Sequence, residues 1–161
     1  RQETVSQTSD HPSSPMSTLR TSGGLAGCGG GSEDSKIAFD SDRDGDFEVF
    51  VVNADGTGVT QLTDNDDRDG SPSWSPNGKQ IAFHSDRDGD TEVFVVNADG
   101  TGVTQLTDND FNDGVPVWSP NGNKIAFASD RYGDDEIFVM NADGSNVVSL
   151  GQQGFPRSWV G

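Results

Sequence analysis

Between Ile81 and Ser129 apolar residues come in short runs, and Gly-, Asp- and Asn-rich breaks separate them. Val117-Trp118-Ser119 and Lys124–Ser129 read as two short strands around Ser119-Pro120-Asn121-Gly122, where Pro presets φ and Gly accepts a positive one. Glu92–Asn97 is a further strand after the turn Asp86-Arg87-Asp88-Gly89, and Val103–Thr107 another after Asn97-Ala98-Asp99-Gly100. Four short strands joined by tight turns predict one antiparallel sheet. Within it, Val93-Phe94-Val95-Val96 is apolar at every position rather than every second one. A strand in a one-faced sheet alternates, so this strand predicts burial on both faces.

The same pattern recurs. Ile-Ala-Phe begins at Ile37, Ile81 and Ile125, a period of 44 residues, and segments 37–79 and 81–123 are identical at 36 of 43 positions. A period in this range marks a solenoid, propeller or array. A β-solenoid uses a shorter coil, and a two-sheet sandwich does not repeat so faithfully. A propeller blade, packed between two others, meets the demand for strands buried on both faces. The fold class expected is therefore all-β, with four-stranded antiparallel blades over 36–79, 80–123 and 124–161. Trp74, Trp118 and Trp159 occupy the same slot. The region opens on a second strand at Lys36 and ends on a first-strand pattern, Pro156-Arg157-Ser158-Trp159-Val160. This predicts twelve strands in three blades, one blade being split between the ends. Three blades are too few for a ring. The two completions expected are a second copy, giving a six-bladed homodimer, and further blades in a longer propeller.

SPNGKQIAF, SDRDGDTEVFVVNADG and the closing QLT resemble the WD-repeat-like propeller repeats of the TolB family, over residues 36–161. Asn77 and Asn121 stand where that family usually has Asp, and Phe50, Phe94 and Phe138 where Tyr is common. The family spans periplasmic envelope proteins, surface lipoproteins and the propeller halves of peptidases. The resemblance thus implies a non-enzymatic, extracytoplasmic binding or scaffolding module that meets a protein or basic ligand through its loops. Two rivals follow from the same resemblance and from the loops: the propeller portion of a larger hydrolase or peptidase, and a calcium-dependent surface or adhesion module.

Charge narrows the partners. With 27 acidic and 10 basic side chains the net charge is −17. That excludes nucleic acid, whose phosphates call for a basic surface, and favours cations or basic partners. No apolar run reaches the roughly 20 residues of a spanning helix. Residues 1–35 are rich in Ser, Thr and Gly, lack periodicity, and read as a disordered arm. Within them Leu25-Ala26-Gly27-Cys28 resembles a bacterial lipobox, which would make Cys28 a lipidation site ahead of a Gly/Ser tether. The polar stretch Thr18–Gly24 does not supply the apolar segment of a signal peptide, so a chance match in a Gly-rich linker stands beside the lipid anchor.

The acidic residues are sided. In a four-stranded meander the turns after the second strands and the links between blades share one end. That end collects an acidic contact set comprising Asp42, Asp44, Asp66, Asp67, Asp69, Asp86, Asp88, Asp110, Asp113 and Asp130, whereas the opposite turns hold only Asp55, Asp99 and Asp143. Turn preference alone also accounts for any single one of them. Asp40, Asp42, Asp44 and Glu48 have the alternating oxygens of a calcium loop. The pattern decays to His84 and Ala128 in later copies, which favours a hairpin turn, and no other cofactor is implied. Catalysis finds little support: His11 lies in the arm, His84 reads as a strand-end surface residue, and no Ser or Cys has a base and an orienting partner. Arg43, Arg87 and Arg131 each follow an Asp and read as local pins of their turns.

Overall fold

The computed structural model describes residues 35–43 and 45–161; the N-terminal arm with Cys28 and His11, and Asp44, lie outside the described residues. Eleven strands form three antiparallel sheets and no helix is present among the described residues. The first sheet contains β1 (Lys36–Ser41), β2 (Glu48–Asn53) and β3 (Thr60–Gln61). The second contains β4 (Asp69–Trp74), β5 (Gln80–Ser85), β6 (Glu92–Asn97) and β7 (Thr104–Gln105). The third contains β8 (Asp113–Trp118), β9 (Lys124–Ser129), β10 (Glu136–Asn141) and β11 (Val148–Gln153). Each sheet is a simple meander in chain order, so each is one blade.

The continuous apolar run behaves as its sequence demands. Val93 and Val95 of β6 face the third blade, in a core with Trp118, Ile125, Phe127, Phe138 and Met140. Phe94 and Val96 face the first blade, against Val49, Val51 and Leu62. One strand therefore serves two cores, and its β-branched and aromatic residues suit a pleated surface covered on both sides. Cross-strand phenylalanine pairs recur at the same register, Phe39–Phe50, Phe83–Phe94 and Phe127–Phe138, with ring centroids 5.6, 5.7 and 5.8 Å apart.

Three details depart from the expected strands. The first strands are longer than their Val-Trp-Ser cores and begin at Asp69 and Asp113. Each carries a register shift, between Gly70 and Ser73 and between Gly114 and Val117, where Ser71 and Val115 adopt φ of 51° and 52°. The fourth strands of the first two blades shrink to two residues, because Thr107 leaves the ladder. Its hydroxyl, not its carbonyl, accepts the Val93 N–H at 2.8 Å, and Thr63 does the same for Val49 at 2.9 Å. The twelfth strand does not form: Pro156–Val160 is irregular. That segment nonetheless follows the path of a first strand. Gly154 N–H donates to Asp135 O at 2.8 Å, just as Asp69 N–H donates to Phe47 O and Asp113 N–H to Thr91 O, both at 2.6 Å. Among the described residues no second strand lies beside it, so no ladder closes there.

Candidate functional site

The hairpin turns after β1, β5 and β9 and the links between blades meet at one end of the sheets. Arg68 of one link donates its N–H to Asp86 Oδ1 of a turn at 2.7 Å, and Asn112 N–H donates to Asp130 Oδ1 at 2.9 Å. Most of the acidic set sits here. Asp42, Asp66, Asp86, Asp88 and Asp110 are exposed, and Asp67 and Asp130 are half-buried. Asp86 and Asp130 are partly engaged by those backbone bonds, and Gln105 donates to Asp88. The side chains of Asp42, Asp66, Asp67 and Asp110 carry no hydrogen bond or ion pair among the described residues. At the opposite end Asp55, Asp99 and Asp143 are committed to their own turns. Each accepts from a hydroxyl two residues on (Thr57, Thr101, Ser145) and from the same residue's N–H. Those bonds, the hydroxyl first, hold their carboxyls below the usual aspartate range.

Two members of the expected contact set are misplaced in that reading. Asp69 and Asp113 are fully buried at the start of the innermost strands. Arg87 Nη2 reaches both Asp69 oxygens at 3.0 and 2.8 Å, and Arg131 repeats the pair with Asp113 at the same distances. Asn65 and Asn109 add a bond each, at 2.8 and 2.9 Å. The arginines are thus more than local pins. Nε of Arg87 holds Ser85 Oγ at 2.8 Å within its own turn, while the guanidinium crosses the sheet and lies over Phe94, 4.8 Å from the ring centroid.

The calcium loop is seen only in part, since Asp44 lies outside the described residues. Glu48 is buried beneath the link, not in the turn, and Asn65 N–H donates to its Oε1 at 2.7 Å while Thr63 Oγ1 donates to Oε2. Glu48 is therefore spent on the blade junction. Asp40 and Asp42 are exposed, and no group of three acidic, His or Cys side chains that could hold a metal occurs among the described residues. Burial pushes the Glu48 carboxyl up, and it pushes that of its counterpart Glu92 up to about 7.

His84 differs from its sequence reading as well. It is not a surface residue but half-buried in a cleft of about 200 Å³ that Arg68, Asn112, Gly114, Val115 and Phe155 also line. A Cβ on Gly70 would stand 3.1 Å from its Nε2, so glycine there makes room for the ring. Among the described residues Nδ1 is buried without a partner, and burial lowers the pKa, with the Arg68 charge adding to it. Burial thus disfavours the charged imidazolium, and no nucleophile or orienting carboxylate is hydrogen-bonded to the ring among the described residues. Beside it a second cleft of about 240 Å³ gathers Pro72, Pro116 and Pro156, one from each innermost segment. Val115 borders both clefts, and a β-branched residue at positive φ is strained. The Gly-x-Pro spacing was the one sequence signal of this inner wall; its bulge was not visible there.

Among curated protein sequences none matches the chain significantly. Among solved structures, a putative TolB from Agrobacterium tumefaciens superposes with a TM-score of 0.69 at 32% identity, over 77% of this chain and 49% of that one. TolB from Acinetobacter baumannii gives 0.66 at 21% identity, over 78% of this chain and 33% of that one. A puromycin hydrolase gives 0.54 at 21% identity, over 66% of this chain and 19% of that one, a likeness of fold alone. The chain therefore spans about half the length of the first of these structures and a third of the second. Among the described residues no helix is long and apolar enough to cross a membrane. The family model for the TolB beta propeller domain matches residues 31–103 and 69–157. Together these matches cover most of the chain, which belongs to the TolB β-propeller family.

Proposed function

We propose that this chain is a non-enzymatic binding module that works outside the cytoplasm and takes a basic protein segment on its acidic loop end. The observation that carries this reading is the contrast between the two ends. Asp42, Asp66, Asp67 and Asp110 are left without protein partners at one end, and every turn aspartate at the other is internally bonded. A net charge of −17 raises the local concentration of cationic partners at that end and speeds their encounter. Membership of the TolB propeller family supports an extracytoplasmic setting, and the likeness to TolB structures supports binding rather than chemistry. The cleft of the half-buried His84 is also lined by Thr91 and Asp135, but neither is hydrogen-bonded to the imidazole among the described residues.

The test is calorimetric titration of the full chain with an oligolysine peptide, in low and in physiological salt. The reading expects saturable binding that Asp66→Asn, Asp67→Asn and Asp110→Asn together weaken by about tenfold, because three charge contacts are lost. Asp55→Asn, Asp99→Asn and Asp143→Asn together should leave it within about twofold, the charge change being equal. Equal weakening by both sets would reduce the effect to net charge and sink the proposal.

A further inference from the structure

The two links between blades keep the same hydrogen bonds but not the same side chains. Asn65-Asp66-Asp67-Arg68 leads into Asp69 in the first, and Asn109-Asp110-Phe111-Asn112 leads into Asp113 in the second. In otherwise nearly identical copies, an aspartate and an arginine have thus given way to a phenylalanine and an asparagine. Phe111 is 42% exposed, among loop aspartates.

The backbone under Phe111 is pinned. Its N–H donates to Asn109 Oδ1 at 3.1 Å, Asn109 N–H donates to the buried Glu92 at 2.6 Å, and Asn112 N–H donates to Asp130 at 2.9 Å. An aromatic side chain on a loop already held in place loses little further freedom when something docks on it, which suits an anchor position. Phe111 also lines a cleft of about 320 Å³ between the second and third blades, with Leu106, Val147 and Arg131. Leu106 is half-buried there, whereas its counterpart Leu62 at the previous junction is buried. The cleft has room for one leucine-sized side chain.

Its polar lining is largely engaged. Arg131 Nη2 reaches both Asp113 oxygens, its Nε holds Ser129 Oγ, and Asn109 Nδ2 donates to Asp113 at 2.9 Å. The charge left over is negative. Asp108 lines the cleft and Asp110 precedes Phe111; both are exposed and carry no hydrogen bond or ion pair among the described residues.

We propose that this cleft between the second and third blades docks an extended protein segment that carries one apolar side chain between lysines or arginines. The apolar side chain sits on Leu106, Phe111 and Val147, and the cations meet Asp108 and Asp110. A cation over the Phe111 ring gains further from the aromatic face. The proposal rests on the acidic-end binding proposed above and adds the apolar anchor that gives it specificity, since carboxylates alone accept any cationic segment.

The experiment is a nuclear magnetic resonance titration of the isotope-labelled full chain at physiological salt. The probes are two pentapeptides, four lysines around a central leucine and four lysines around a central serine. The leucine peptide should bind about tenfold more tightly, the scale set by covering one leucine side chain, and should shift the amides of residues 106–112. Phe111→Ala and Val147→Ala should each cut that preference to less than about threefold. Val103→Ala, at the equivalent place of the previous junction, should leave it unchanged. All three side chains are exposed, so these replacements leave the fold intact. Equal affinity for the two peptides, a preference that survives Phe111→Ala, or shifts confined to other residues would overturn the cleft and leave the acidic-end reading standing. A peptide of four glutamates around leucine that bound as tightly as the lysine one would also overturn it. Binding of neither lysine peptide would overturn both.

Discussion

Glu48 and Glu92 illustrate how one residue type is reassigned by its depth. Each is fully covered, each accepts from the N–H of an asparagine in the following link, and each stands near a buried aspartate. Burial raises the Glu92 pKa from its ordinary value of 4.5 to about 7 in the folded chain. The folded state then keeps a proton that the unfolded state has already released. Stability is greatest below the ordinary value and falls as pH rises towards 7. Glu92→Gln should flatten that fall between about pH 4.5 and 7, read from the melting temperature at each pH; an unchanged slope would show that Glu92 is ionised throughout. At Asp69 the expected effect is larger. Arg87→Ala leaves a carboxylate buried with only Asn65 and should cost about 3–5 kcal/mol by urea unfolding. Arg87→Lys should recover part of this, since an ammonium restores the charge but cannot also hold Ser85 Oγ as the guanidinium Nε does. Neither residue was legible as a partner in the sequence. Asp69-Gly70 reads as turn chemistry, and only the bulge at Ser71 draws it into the strand where Arg87 can reach it.

At the scale of the element, periodicity did most of the work. The unbroken apolar run of β6 named a doubly buried strand, and Val93 and Val95 do face one core while Phe94 and Val96 face another. The 44-residue repeat then makes an internal control available, because the same isoleucine sits at a covered and an open position. Ile81→Ala should destabilise by about 2–5 kcal/mol, and Ile37→Ala by less than about 1 kcal/mol. Chemical denaturation of the two variants compares them directly; equal costs would mean that Ile37 is covered in solution. The limits of pattern reading lie where a strand depends on something outside its own residues. Pro156–Val160 carries the first-strand pattern and even the blade-to-blade bond from Gly154, but a ladder needs a neighbour. The short β7 is a second instance: the Thr107 hydroxyl displaces the main chain from the ladder, a substitution that apolar periodicity does not record.

For the whole molecule, Asp69, Asp113 and Glu48 are withdrawn into the blade junctions, and the other loop aspartates of the expected contact set that are described stay exposed or half-buried. The two end blades are less covered than the middle one. Ile37 at one end, and Val148 and Leu150 at the other, expose about half their surface. Repeat arrays of this kind draw stability from each neighbour interface in turn, so the middle blade, with two interfaces, should open last. Residue-resolved hydrogen exchange of the full chain tests this arrangement most directly. The slowest amides should be those of Val93–Val96 in β6, followed by Val49–Val51 and Phe138–Met140, with β1 and β11 fastest. Uniform protection across all three blades, or slowest exchange in β1 or β11, would contradict an account built on three blades stacked in order with the middle one covered on both sides.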